Sequence, residues 1–127
     1  MKIAFDFHGV LETYPDHFKV ILRLLMKEHT IIVLSGPPLN QILDELEKSG
    51  YEKGRHYDQV ISVVDWIKDQ GIEMYLNKQG SWYCSDDKWW SSKARICEQE
   101  MIEMLFDDSI QYKEYIKDNN PLFLHIK

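Results

Sequence analysis

Cysteine is scarce in this chain of 127 residues: Cys84 and Cys97 are the only two, and neither belongs to a paired-cysteine or Cys/His spacing. The sequence therefore carries no signature of a zinc site or a disulfide framework. Basic charge is also short. Lys and Arg number 15 against 21 Asp and Glu, a net charge of -6, and such a balance leaves no electrostatic footprint for sequence-independent binding of duplex nucleic acid. No apolar run approaches the roughly 20 residues that cross a bilayer, so a membrane partner is not expected. The amino terminus passes from Lys2 straight into a strand pattern, without an apolar h-region and small-residue cleavage site. With its unpaired cysteines, that is the expectation for a protein of the reducing cytoplasm. Internal repeats, low-complexity tracts and linkers are missing too, and the length suits one domain over residues 1–127 with one hydrophobic core.

What is present is an alternation of short apolar runs with amphipathic stretches. Residues 2–7 predict a buried strand, broken by Gly9 and a turn or small flap through Pro15. Asp16 is placed to cap a helix whose Phe18, Ile21, Leu22 and Leu25 form one apolar stripe. The run Thr30-Ile31-Ile32-Val33-Leu34 reads as a central parallel strand covered on both faces, ending at Ser35-Gly36. Pro37 and Pro38 suit the first turn of a helix with Leu39, Ile42, Leu43 and Leu46 inward, closed by Ser49-Gly50. Residues 59–64 predict a third strand and residues 65–70 a short helix ended by Gly71. Residues 72–90 read as a small insert, with 72–76 and 81–84 flanking the turn Asn77-Lys78-Gln79-Gly80 as in an aromatic β-hairpin. Ser91 or Ser92 is placed to cap a helix with Ala94, Cys97 and Met101 inward, leading to a fourth strand that ends at Asp107. Tyr112–Lys117 is expected to be helical, Asn119-Asn120-Pro121 a turn, and residues 122–126 a last strand. The fold class is α/β: a Rossmann-like parallel sheet sandwiched by helices, with right-handed crossovers.

Ligands of such sheets bind beyond the carboxyl ends of the strands. Asp6, Ser35 and the doublet Asp107-Asp108 all fall there, at the ends of the first, second and fourth predicted strands, and Lys93 on the helix before the fourth can reach the same crevice. Buried carboxylates are costly unless paired or bound to a cation, and three at strand ends point to a metal and phosphate site.

In order and context these segments resemble the motifs of the haloacid dehalogenase-like hydrolases, most of which are magnesium-dependent phosphatases. Asp6-Phe7-His8-Gly9-Val10-Leu11 is similar to the first motif and Ile32-Val33-Leu34-Ser35-Gly36 to the second, while Lys93 and Leu105-Phe106-Asp107-Asp108-Ser109 stand where the third and fourth belong. The likeness spans nearly the whole chain. It implies that Asp6 attacks phosphorus to form an aspartyl-phosphate, which water then hydrolyses. It implies that Mg²⁺ is held by Asp6, the backbone carbonyl of His8, Asp107 and Asp108. Ser35 and the Gly36 amide would bind the phosphoryl group, and Lys93 would neutralise charge on nucleophile and phosphate.

Most phosphatases of that family carry an aspartate two residues after the nucleophile as general acid and base, and here the position is His8. Imidazole can do both jobs, with an ordinary pKa of about 6.5 against about 3.9 for aspartate. A positioned acid or base is typically worth about 10² to 10⁴-fold, a small part of the acceleration such reactions reach. Only roughly twenty residues separate His8 from the second strand, which leaves no room for a large cap domain there. The expected function is thus a phosphomonoesterase for a small phosphorylated metabolite or nucleotide. The alternative is a weak or inactive relative that binds a phospho-ligand or a protein. A receiver domain combines similar residues but places its acidic pair on the first strand. Trp66, Trp82, Tyr83, Trp89 and Trp90 lie where a small lid would stand, and either pack the hairpin onto the sheet or stack on an aromatic substrate.

Overall fold

In the computed structural model, which describes residues 1–127, strand and helix alternate along the chain. Strand β1 (Lys2–Phe5) leads through a wide turn over Phe7–Leu11 into helix α1 (Pro15–Leu25). Strand β2 (Thr30–Ser35) is followed by α2 (Leu39–Lys48), and β3 (Gln59–Ser62) by α3 (Val63–Asp69). An antiparallel hairpin of β4 (Tyr75–Leu76) and β5 (Trp82–Tyr83) precedes α4 (Asp86–Glu100). Then come β6 (Met104–Asp107), a 3₁₀ turn over Ile110–Tyr115, and β7 (Leu122–His125).

Five strands form one parallel sheet in the order β3-β2-β1-β6-β7. The chain builds outward from β1 to β3 on one side, then returns to lay β6 against the other edge of β1. Strand order reverses at that point, which is where an open parallel sheet leaves a crevice beyond its carboxyl ends. Register carries chemistry into the crevice. Phe5 pairs with both Val33 and Phe106, so the next residues of β1, β2 and β6 emerge at one rim.

Both faces of the sheet are covered. Ile3, Phe5, Ile31 and Val33 pack with Phe18 and Leu22 of α1 and Ile42 and Leu46 of α2. The alternate residues Ala4, Ile32, Leu34 and Leu105 pack with Ile67 of α3 and Ile96 and Cys97 of α4. Period-two alternation thus persists inside wholly apolar strands, each set serving a different helical layer.

Several element ends differ from the sequence expectation, each for a local reason. The strand expected over residues 2–7 stops at Phe5, because Asp6 turns to accept the Phe7 N–H at 2.9 Å. The strand expected through residue 64 stops at Ser62, whose Oγ accepts the Asp65 N–H at 3.1 Å and starts α3, drawing β-branched Val63 and Val64 into helix. The last helix before β6 begins at Asp86, not after Ser91 or Ser92; Asp86 and Asp87 suit its positive end, and the Ser92 hydroxyl donates back to Trp89 O at 2.6 Å. Met101, expected inward, is a left-handed residue (φ 57°) closing α4 and is 73% exposed.

Asp16 lies inside the first turn of α1, while Pro38 is the extended residue just before α2. The expected helix over 112–117 is the 3₁₀ turn over 110–115. Ile21 and Leu43 are 39% and 40% exposed, so the buried stripes narrow to Phe18 with Leu22 and Ile42 with Leu46. Urea unfolding should separate the two kinds of α2 leucine. Leu46→Ala is expected to cost about 2–5 kcal/mol and Leu43→Ala less than about 0.5 kcal/mol; equal losses would place both in the core.

Candidate functional site

The carboxyl rim is organised around an ammonium group. Ser92, Lys93, Ile96 and Cys97 form the buried face of α4, so Lys93 occupies a core position in mid-helix, not at a helix start as the sequence suggested. Its side chain is 1% exposed, and its Nζ donates to Asp107 Oδ2 at 2.5 Å and lies 3.4 Å from Asp6 Oδ1. Tyr112, from the 3₁₀ turn, offers its ring 4.6 Å from the same ammonium. Burial alone would lower the Lys93 pKa, but the Asp107 and Asp6 carboxylates outweigh it and hold the ammonium above its ordinary value. Lys88, the other lysine near this position, is exposed.

Both carboxylates are secured from other sides. Asp6 Oδ1 accepts the Phe7 N–H, and Asp107 Oδ1 accepts the Ser109 N–H at 2.9 Å. Asp107 is fully buried and Asp6 is 7% exposed. Burial pushes the Asp6 carboxyl up to about 6; Lys93 opposes the rise and Asp107 adds to it. Asp108 is exposed, and its carboxylate lies against the backbone of Gly9 in the wide turn after β1. A Cβ at Gly9 would stand 2.0 Å from Asp108 Oδ2, and Gly9 has φ +78°, so this position excludes a side chain on two counts.

Asp6, Ser35, Gly36, His8, Lys93 and Asp108 line one cleft of about 240 Å³, walled by Trp89, Trp90 and Tyr112. The residues expected from the sequence to share a site are therefore together, with Asp107 joined through Lys93. The Ser35 hydroxyl is sealed from solvent. It is close enough to Asp6 to favour the ionised carboxylate slightly, yet makes no well-aligned hydrogen bond with it or any other group. An unpaired buried hydroxyl costs about 1–3 kcal/mol, and the neighbouring group that can offset this at Ser35 is the Asp6 carboxylate.

The donor set fits a hard divalent cation. Asp6, Asp107 and Asp108 bring carboxylate oxygens within 4.8 Å of one another, and oxygen ligands suit Mg²⁺ or Ca²⁺. Three carboxylates against the single ammonium of Lys93 leave two uncompensated negative charges when all are ionised, the charge a divalent ion cancels.

The His8 side chain is held from an unexpected quarter. Its Nε2 stands 2.6 Å from Glu45 Oε2 on α2, and Glu45 Oε1 accepts from Gln41 Nε2 at 2.9 Å. The contact between His8 and Glu45 is not a well-formed hydrogen bond. Sequence reasoning passed over Glu45, Gln41 and Tyr112. The signal for Glu45 was weak: an acid three residues after buried Ile42, one turn beyond Gln41 on α2.

The aromatic segment divides. Trp89 and Trp90 wall the cleft, Trp90 packing on Tyr112 at 4.8 Å, whereas Trp66 donates to Gln99 at 3.1 Å and Tyr83 pairs with Tyr75 in the hairpin. Neither cysteine is set up as a nucleophile, since burial raises both thiols, Cys97 to about 12. No protein-family model, curated protein or solved structure matches the chain.

Two expectations follow from this geometry. Because the folded Asp6 pKa is raised from 3.8 to about 6, the native protein keeps a proton between about pH 4 and 6 that the unfolded chain releases. Stability from this group therefore falls as pH rises through that window. Thermal melts should show the fall, Asp6→Asn should flatten it, and millimolar Mg²⁺ should raise Tm more at pH 7 than at pH 5; an equal rise at both would separate Asp6 from the cation. In addition, Gly9→Ala should cost at least about 1 kcal/mol in urea unfolding and weaken Mg²⁺ binding by displacing Asp108. Unchanged calorimetric affinity would show that Asp108 takes no part.

Proposed function

We propose that this chain is a magnesium-dependent phosphohydrolase that cleaves a small phosphorylated metabolite or nucleotide through an aspartyl-phosphate on Asp6. The observation that carries this reading is the meeting of Asp6, Lys93 and Asp107 at the reversal point of the sheet, with Ser35 unpaired beside them. It is the chemistry implied by the likeness to haloacid dehalogenase-like hydrolases, and a compact core without a large cap would leave such a site open to solvent.

Asp6 Oδ1 is engaged by the Phe7 N–H and faces Lys93, which leaves Oδ2 to attack. The new Asp6–phosphorus bond forms as the phosphorus–oxygen bond to the leaving alcohol breaks, and the alcohol takes up a proton. Water then attacks phosphorus, gives up a proton, and frees Asp6 and inorganic phosphate. Mg²⁺, held by Asp6, Asp107, Asp108 and the His8 carbonyl, would supply charge neutralisation on the phosphoryl oxygens. Ser35 donates to one of those oxygens, and Lys93 fixes the nucleophile and offsets its charge. His8, which lines the cleft, is the proton-transfer group of this scheme.

The second reading, a phospho-ligand-binding module without turnover, is favoured by one observation: the His8 ring engages Glu45 instead of standing free. Assays with acetyl phosphate and glycerol phosphate in Mg²⁺ decide between them. Wild type should release phosphate, and Asp6→Asn should lose about 10³-fold or more. His8→Ala should lower the alkyl ester rate by about 10² to 10⁴-fold while acetyl phosphate, whose leaving group needs little protonation, changes far less. Binding of phosphate without release from either compound would establish the second reading.

A further inference from the structure

A second cavity opens beside the Asp6 cleft. Its volume is about 240 Å³, and it shares Gly36, Pro37 and Trp89 with that cleft. Trp82 of β5, Gln41 and Ser81 also line it. We propose that this cavity is a subsite for a flat, uncharged aromatic ring carried by the phosphate monoester, so that ring and phosphoryl group occupy the two adjoining spaces at once. The assignment rests on reading the Asp6 cleft as the phosphoryl site.

Four features point to that occupant. First, the cavity adjoins the cleft, the two having Gly36, Pro37 and Trp89 as common walls, and Gly36 is the residue immediately after Ser35, so a group attached to a phosphoryl in the cleft lies next to it. Second, both indoles are held in place. Trp89 packs on Gly36, where a Cβ would lie 3.3 Å from its ring, and the Lys68 ammonium sits 3.5 Å from the centre of the Trp82 ring. Indoles fixed in advance offer stacking area at little conformational cost. Third, no charged side chain lines the cavity, whereas carboxylates and an ammonium crowd the cleft next to it. A ligand that matches both spaces is charged at one end and neutral at the other. Fourth, the Gln41 side chain is oriented by one amide N–H donated to Glu45, and its carbonyl oxygen and second N–H are free to meet polar groups at a ring edge. The volume lies below the roughly 300 to 1,000 Å³ of sites for drug-sized ligands, which suits a single ring system.

The hairpin thereby gains a role. Its turn is pinned by the Asn77 side-chain oxygen, which accepts the Gln79 and Ser81 N–H groups at 3.0 and 2.9 Å, and this sets Ser81 and Trp82 against the Gly36 turn. Substrate choice would then be made by a short insert and α4, with the sheet supplying the chemistry.

Phosphonates test the subsite without turnover, since their carbon–phosphorus bond is not the one this reaction breaks. Calorimetry of the wild-type chain in Mg²⁺ would compare methylphosphonate, phenylphosphonate and the 5′-phosphonate of uridine. Stacking predicts that phenylphosphonate binds about 5- to 150-fold more tightly than methylphosphonate. A further gain for the uridine compound marks a nucleoside as the source of the ring, and the lack of one marks a simple aryl group. Trp82→Ala should erase the aromatic advantage and leave methylphosphonate unchanged, while Trp82→Phe should stay within about 3-fold of wild type. Equal affinity of phenyl- and methylphosphonate for wild type overturns the subsite and leaves the phosphoryl reading intact. Loss of methylphosphonate binding alone, with phenyl binding still dependent on Trp82, overturns the phosphoryl reading instead. Absence of binding by all three overturns both.

Discussion

The ammonium of Lys93 sits where two adjacent strands end in carboxylates, and without it neither Asp6 nor Asp107 is tolerable in a space closed to water. Its placement requires all three layers at once. Helix α4 must lie against the sheet with Lys93 on its apolar face, β1 and β6 must be neighbours, and the 3₁₀ turn must bring Tyr112 over the charge. The pair is short and dry, so its geometry is specific to within a fraction of an ångström. The same bond explains an asymmetry between the two acids. Asp107 is locked by Lys93 at 2.5 Å and by the Ser109 N–H, whereas Asp6 lies 3.4 Å from the ammonium.

Much of this arrangement was legible in the residues. Apolar runs ending in Asp6, Ser35 and Asp107 marked both the strands and the rim where those polar groups meet, because the carboxyl ends of neighbouring parallel strands lie on one side of the sheet. Helix stripes marked the layers, though Ile21 and Leu43 showed that an apolar residue in register can still face solvent when the stripe contacting the sheet is narrow. Lys93 was harder. A lysine is usually solvated, and only its place on the face of Ile96 and Cys97 tells it from exposed Lys88.

Pairings between distant segments were not readable. Nothing local to Glu45 shows that it meets His8, and nothing near Gly9 shows that Asp108 will rest on its backbone. The boundary errors share a cause. Val63 and Val64 carry strand propensity, yet one capping bond from Ser62 outweighs it. At α4 the two acids of its first turn, Asp86 and Asp87, decided the start over the serines downstream, which bond back into the helix. Local features, a capping bond at α3 and first-turn charge at α4, set where these helices begin, and hydrophobic pattern sets only that they exist.

The strand order also governs how the molecule can be assembled. β1 lies at the centre of the sheet, flanked by β2 and β6, and β6 comes about a hundred residues later in the chain. β1, β2 and β3 precede β6 in synthesis, and until β6 is in place one side of β1 has no strand partner. That apolar edge of Ile3, Ala4 and Phe5 is a template for any other extended segment until Met104–Phe106 occupies it. The negatively charged end of β1 acquires its balancing ammonium only when α4, which immediately precedes β6, has docked. Pairing of the open side of β1 and neutralisation of its buried acid thus come together, from one late stretch of chain.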